Sequence, residues 1–144
     1  MTDKTTGELM KLLTSIKNTS ELKQYTDTLS NARLFITFPE YISEQMRLYH
    51  MTASQLIADA GLQRNYGYQI LDGRRNPSRD KVIALCLALS LNLSDTGRAL
   101  TLSKNGQLYS KNKRDSILIF ALEKKLSVMD ANELLQEMGE PLLL

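Results

Sequence analysis

The sequence is poor in residues that interrupt helices and in residues that bind metals. Of its 144 residues only three are proline and seven glycine, one is cysteine, one is histidine and none is tryptophan. The single cysteine, Cys86, allows no disulfide within the chain and is typical of a reducing compartment, so we expect a cytoplasmic protein. With one cysteine and one histidine, no metal-ligand spacing exists.

Long apolar segments are also missing. The longest apolar run without a charge, residues 82–91, is far shorter than the roughly 20 residues that a bilayer-spanning helix needs. The first residues lack the basic and apolar stretches of a secretion signal. We therefore expect no membrane partner.

Motifs that carry catalysis are absent too. There is no glycine-rich phosphate loop and no serine elbow, and the acids are scattered over helix caps and surfaces. His50 stands at the end of a predicted helix, where the helix dipole favours a cation, and no carboxylate or nucleophile is grouped with it. Cys86 lies among apolar residues and is interpreted as a small core residue. We expect neither an enzyme nor a cofactor.

What the chain does have is helix-forming sequence. Apolar residues make up 42% of it, and no long alternating run of Val, Ile and Thr appears, so the composition predicts an all-α fold. Four capping boxes mark helix starts: Thr37…Glu40, Thr52…Gln55, Asn92…Asp95 and Ser127…Asp130. Apolar stripes at helical spacing predict nine helices, at 6–17, 20–30, 39–49, 53–60, 63–72, 79–90, 93–103, 114–124 and 128–138.

The positive charge is concentrated in the middle of the chain. Residues 64–114 hold ten basic and three acidic residues, a net charge of +7, although the whole chain carries only +2. A basic middle between acidic flanks is typical of a polyanion-binding protein, but also of a basic solvated surface. The basic stretch 111–114 has the same two interpretations.

An internal repeat is visible at an offset of 35 residues. Arg79-Asp80 returns as Arg114-Asp115, and the apolar and capping positions that follow return in the same order. Each copy is a helix, a capped turn and a second helix, and a helical hairpin buries only one face, so we expect the two copies to stack. The apolar tail at 141–144 is expected to pack on this subunit or on another one.

Residues 52–78 form the most specific pattern. A short capped helix is followed by Gly61, where a tight turn requires a left-handed backbone, and by the apolar Leu62. The next helix begins with polar residues and becomes apolar at Ile70, so it offers hydrogen-bonding groups on its outer face. Arginine can bind guanine with two hydrogen bonds, and asparagine or glutamine can bind adenine in the same way.

This stretch resembles the Cro/XRE family of phage-repressor-like helix-turn-helix regulators. The resemblance covers residues 39–103 and is carried by Leu56-Ile57-Ala58-Asp59-Ala60-Gly61-Leu62 and by Ile70-Leu71-Asp72-Gly73-Arg74-Arg75-Asn76-Pro77-Ser78. It implies a five-helix domain in which 63–72 is the recognition helix in the major groove and Pro77-Ser78 opens the next helix. The DNA-binding residues implied are Gln63, Arg64, Asn65, Tyr68 and Gln69 facing the groove, with Arg74 and Arg75 at phosphates.

Two departures from the family pattern occur together. Ile57 stands where the family usually has a small residue, and Gly67 stands where it usually has a β-branched one. We predict that the glycine makes room for the larger isoleucine on the facing helix. Of the tyrosines that flank Gly67, Tyr66 is expected to pack inward and Tyr68 to make contacts outside.

These patterns divide the chain into an N-terminal helical extension (1–38), a helix-turn-helix DNA-binding domain (39–103) and a C-terminal helical hairpin (104–144). The expected function is sequence-specific double-stranded DNA binding in transcription regulation, by a homodimer because two half-sites multiply specificity. The alternative is an all-helical protein–protein interaction module that uses the helix-turn-helix as a scaffold and binds a protein partner rather than DNA.

Overall fold

The computed structural model describes residues 6–31 and 36–143, and within them all regular structure is helical. The extension predicted at 1–38 and the apolar tail therefore fall partly outside the described residues, at 1–5, 32–35 and 144. The nine predicted helices are all found there, with ends that differ by no more than three residues. They are α1 Thr6–Thr14, α2 Thr19–Asn31, α3 Phe38–Leu48, α4 Ala53–Asp59, α5 Arg64–Leu71, α6 Arg79–Ala88, α7 Leu93–Leu102, α8 Lys113–Glu123 and α9 Val128–Glu137.

The chain divides into two compact units, Met1–Ile36 and Thr37–Leu144. The first contains α1 and α2. Asn18 caps α2, because its Oδ1 accepts the Glu21 backbone N–H at 2.9 Å. The described side chains of this unit, at 7–28, are all exposed or half-exposed, including the apolar stripe of α1. The apolar side chains at 7–28 are therefore not buried.

The second unit is built around α6. Residues Val82, Ile83, Ala84, Leu85, Cys86 and Leu87 are all buried, so this helix is apolar on every side. Helices α4, α7, α8 and α9 pack against it. The apolar run that is too short for a membrane is thus the centre of the core. In the described part of the chain, no helix has both the length and the apolar character needed to cross a bilayer.

Four helix pairs of this unit are joined in the same way. Each joint has a residue with positive φ, then an apolar residue whose N–H bonds to a carbonyl five residues earlier, then a residue whose side chain caps the next helix. The joints are His50-Met51-Thr52, Gly61-Leu62-Gln63, Ser90-Leu91-Asn92 and Lys125-Leu126-Ser127. Three of these joints connect helices that pack on each other, α4 with α5, α6 with α7 and α8 with α9.

The predicted capping boxes are confirmed. The side chains of Thr37, Thr52, Asn92 and Ser127 accept the expected backbone N–H groups at 2.7 to 3.3 Å. The sequence contains one more box in this unit, in which Asn112 accepts the Asp115 N–H at 2.9 Å. It fixes the start of α8.

The 35-residue repeat is seen as two hairpins, α6–α7 and α8–α9, that are clamped reciprocally. The Arg79 guanidinium donates to both carboxylate oxygens of Asp115 at 2.9 and 2.7 Å. The Arg114 guanidinium donates to both oxygens of Asp80 at 2.9 and 3.0 Å. Each arginine therefore bonds the acid of the other hairpin. Such reciprocal contacts are typical of two units related by a two-fold axis, whereas a translational stack would repeat the same contact in one direction.

Each of these arginines also holds the tail that follows its own hairpin. Arg79 Nε donates to the Gly106 carbonyl at 2.9 Å, and Arg114 Nε donates to the Pro141 carbonyl, 35 residues later, at 3.0 Å. The C-terminal tail accordingly packs on its own chain, where Leu143 is only 6% exposed. The Leu143 backbone N–H donates to Asn132 Oδ1, and the Leu143 carbonyl accepts from Asn132 Nδ2.

Candidate nucleic-acid interface

Helix α5 is seated on α4 through a close backbone approach. A Cβ placed on Gly67 would lie 2.6 Å from Ile57 Cγ2 and 2.7 Å from Ile57 Cγ1, closer than side chains can approach. The predicted compensation between these two residues is therefore confirmed. Gly67 and Ile70 form the buried side of α5, and Leu62 plugs the turn that precedes it.

The opposite side of α5 is accessible and polar. Arg64 and Asn65 are exposed in the first turn, while Tyr68 and Gln69 are half-exposed one turn later. All four belong to the residues that the resemblance implies for base contacts. Because α5 has only eight residues, its anchoring side and its accessible side are both short.

Gln63, the fifth of these residues, caps α5. Its Oε1 accepts the Tyr66 backbone N–H at 2.7 Å, in the position where serine, threonine, aspartate or asparagine is usual. This bond occupies the amide oxygen and fixes the side chain at the start of the helix. The side chain is exposed, so its Nε2 donors remain accessible.

Two ordered side-chain pairs lie on the accessible surface. The Arg64 guanidinium lies over the Tyr68 ring, with Cζ 5.8 Å from the ring centroid, one helical turn away. Arg75 Nε donates to Gln69 Oε1 at 2.6 Å, which ties the segment after α5 back to the helix. These contacts restrict the rotamers of residues implied in DNA binding, and so reduce the entropy that they would lose on binding.

Tyr66 does not pack fully inward as expected. It is half-buried, and two cations lie over its ring, with Arg75 Cζ at 5.7 Å and Lys81 Nζ at 5.8 Å from its centroid. Sequence reasoning missed Lys81 because it belongs to α6, and only the packing of α5 brings it next to Tyr66. Tyr66 in the first turn of α5, Arg75 in the segment after α5 and Lys81 in the first turn of α6 form a cationic cluster.

Arg74 is engaged differently from Arg75. Its Nε donates to Asp72 Oδ2 at 2.7 Å, and the hydrogen bond from Arg74 holds the pKa of the Asp72 carboxyl below its usual value. Both side chains are well exposed. The charge that Arg74 offers to an outside partner is therefore partly neutralised by its own neighbour.

The positive charge of residues 64–114 remains after such pairs are set aside. Of the ten cations there, Arg74, Arg79 and Arg114 are bonded to acids in the structure. Seven cations of that stretch are left, and Asp95 is the one acid of the stretch left to balance their charge, because Asp72 and Asp80 are paired. Within the basic stretch 111–114, Lys113 and Arg114 contact protein atoms, Lys113 through its bond to the Met138 carbonyl.

His50 and Cys86 are the two residues that the sequence offers as candidates for catalysis. His50 is exposed and has φ +54°, at the joint between α3 and α4. Cys86 is fully buried in α6, and burial raises the pKa of its thiol to about 12, so the thiol stays protonated at neutral pH. Among the described residues, no group of three His, Cys, Asp or Glu side chains is placed to hold a metal ion.

Comparison of the chain with protein-family models, with curated proteins and with solved structures found no match.

Proposed function

We propose that the chain is a sequence-specific double-stranded DNA-binding regulator of transcription that reads the major groove with α5. In this proposal α3 to α7 are the five-helix repressor-like domain, with α4 and α5 as its helix-turn-helix. The observation that carries the proposal is the two-sided character of α5: one side is locked on α4 by Gly67 and Ile70, and the other presents Arg64 and Asn65 to solvent. A reading helix needs both properties, since its side chains must reach base edges from a fixed backbone.

The surroundings of α5 support the same proposal. The cationic cluster brings Arg75, from the segment after α5, and Lys81, from α6, next to Tyr66 of α5, and Arg64 adds a further cation in the first turn of the helix. Cations beside a reading helix would meet the phosphates that flank a groove, while the helix itself meets bases. In this arrangement Arg64, Asn65 and Gln69 specify sequence, and Arg75 and Lys81 supply affinity.

Selection from a random duplex library tests the proposal. We expect an enriched site, two-fold symmetric if a dimer binds, with an affinity that falls steeply as salt rises. The paired variant Arg64→Ala/Gln69→Ala should lose most of the sequence preference, because two of the three side chains that the proposal places at the bases no longer reach them. The matched variant Arg74→Ala/Arg75→Ala should keep the sequence preference and bind every duplex more weakly. If the folded wild-type chain binds no duplex at low salt, the proposal is wrong.

The second candidate is a protein-interaction module without DNA binding. One observation favours it: a groove of about 400 Å³ lies between α4 and α9, and Met129 beside it is 73% exposed. In that case a stoichiometric protein partner should bind the Arg64→Ala and Arg75→Ala variants as well as the wild type, and should fail to bind when residues 114–144 are removed. A partner that instead requires those arginines would contradict this candidate.

A further inference from the structure

A second groove lies on the outer side of the C-terminal hairpin, between α8 and α9. It encloses about 400 Å³ and is lined by Lys113, Ser116, Ile117, Phe120, Leu134 and Met138. Phe120 is 49% exposed and Met138 is 45% exposed, so two large apolar side chains from neighbouring helices line one surface groove. The groove is thus apolar at its floor and open to solvent.

The two borders of this groove carry opposite charges. On α8, Lys113 lines one end, and Lys124 Nζ lies 5.8 Å from the Phe120 ring centroid at the other end. On α9, Asp130 and Glu137 are exposed and lie one helical turn before and after Leu134, on the same face. Glu123 is also exposed beside Lys124 on α8, so Lys113, Glu123 and Lys124 give that border a net charge of +1, while Asp130 and Glu137 give the α9 border −2. A net positive border thus faces a negative border across an apolar floor.

We propose that this groove is the interface with a second copy of the chain, paired through a two-fold axis that runs along the groove. Such an axis lays α8 of each copy on α9 of the other. Lys124 and Asp130 both lie at the end where α8 passes into α9, so each Lys124 then meets the partner's Asp130. The alternative two-fold axis, across the groove, would set Lys113 against Lys124 of the other copy and is opposed by like charge.

The small size of the α8–α9 face leads us to expect a weak dimer. Helices α8 and α9 have 11 and 10 residues, so each is about 15 Å long and the paired faces belong to the small class of interfaces. We therefore expect a reversible dimer with a Kd between about 1 and 100 µM. This dimer does not depend on DNA binding, and its test uses no DNA.

Sedimentation of the full chain from about 1 to about 300 µM measures the dimer. Phe120→Glu should weaken dimerisation at least about 10-fold, because it sets a charge in an apolar contact. Leu93→Glu is the matched control: it makes the same kind of change at an apolar residue of α7 that is 42% exposed and lies outside the groove, and should leave the Kd within about two-fold. Circular dichroism melting verifies that both variants are folded.

A charge exchange tests the pairing itself. Lys124→Glu and Asp130→Lys should each weaken self-association, since two like pairs then face each other in the homodimer. An equimolar mixture of the two variants should regain the dimer, because both pairs of the mixed dimer are again of opposite sign. The proposal is overturned by a wild-type chain that stays monomeric at about 300 µM, by Phe120→Glu dimerising as Leu93→Glu does, or by folded exchange variants that fail to pair when mixed.

Discussion

The side chain of Ile57 fills the space into which any side chain at position 67 would project. The distances of 2.6 and 2.7 Å from an added Cβ leave no room for even a methyl group unless the isoleucine moves. Position 57 on α4 and position 67 on α5 are therefore one packing unit. The glycine lowers the helix propensity of α5. The van der Waals contacts of the buried Ile57 side chain, which the close approach of the two helices permits, offset this loss.

The effects of substitutions at positions 57 and 67 on the free energy of unfolding should be coupled. Gly67→Ala alone should lower the free energy of unfolding by about 1 kcal/mol, because overpacking outweighs the gain in helix propensity. Ile57→Ala alone should lower it by about 2–4 kcal/mol through the cavity that it leaves. In the double variant the new methyl group enters that cavity, so the loss should be smaller than the sum by about 1 kcal/mol or more. Urea unfolding of the four proteins measures the cycle, and additive losses would contradict the packing.

Lys81 should act as a phosphate contact. If DNA lies along α5, Lys81→Ala should weaken binding to all duplexes alike and make the slope of log affinity against log salt shallower by about one. Fluorescence anisotropy at several salt concentrations measures both effects. Lys23→Ala, an exposed lysine on α2, is the matched control. An effect of Lys81→Ala that differs between duplex sequences would argue against a phosphate role.

Asp72 should weaken DNA binding in the wild type. Asp72→Asn removes the carboxylate that pairs with Arg74, so we expect duplex affinity at low salt to rise about three- to ten-fold. The same substitution in an Arg74→Ala background should change affinity less, because there is then no arginine to release. Equal gains in the two backgrounds would show that Arg74 makes no contact with DNA and that only the long-range field has changed.

The Arg79–Asp115 clamp should make stability depend on acid pH. The hydrogen bonds from Arg79 lower the pKa of the Asp115 carboxyl in the folded state below its ordinary value of 3.8. A lowered folded pKa means that the pair contributes fully above about pH 4, and that this contribution is lost as the pH falls through the folded value. Asp115→Asn should therefore cost about 2 kcal/mol at pH 7 and progressively less below pH ~4.

Denaturant unfolding of wild type and Asp115→Asn at several pH values measures that difference. Asp59→Asn, at an exposed position on α4, serves as control and should change stability little at any pH. A difference between wild type and Asp115→Asn that is the same at pH 7 and pH 3 would contradict a titrating clamp.

The features that sequence reasoning found are those whose signal is local or paired. Helices and their caps follow from residues three or four apart, and the contact of Ile57 with Gly67 was visible as two simultaneous departures from a family pattern. The box at Asn112 has the same local signal and was overlooked. For Gln63, the contact with DNA stays a prediction, and the structure adds a capping role for its side-chain oxygen.

The features that it did not find depend on how helices meet. Tyr66 and Lys81 are 15 residues apart on different helices, and no spacing in the sequence relates them. The repeated Arg-Asp pair indicated that two hairpins stack, but a translational stack and a two-fold exchange need the same residues. Only the placement of Asp80 next to Arg114 distinguishes the two arrangements.

The exchange between the hairpins also limits how this architecture can grow. In an open array every unit keeps one unsatisfied face, and a further unit can always be added. Here Asp80 and Asp115 have each accepted an arginine from the opposite hairpin, so both clamping acids are already occupied. A third hairpin grafted after the second would bring an arginine with no matching acid, and lengthening such a protein would require a new kind of contact.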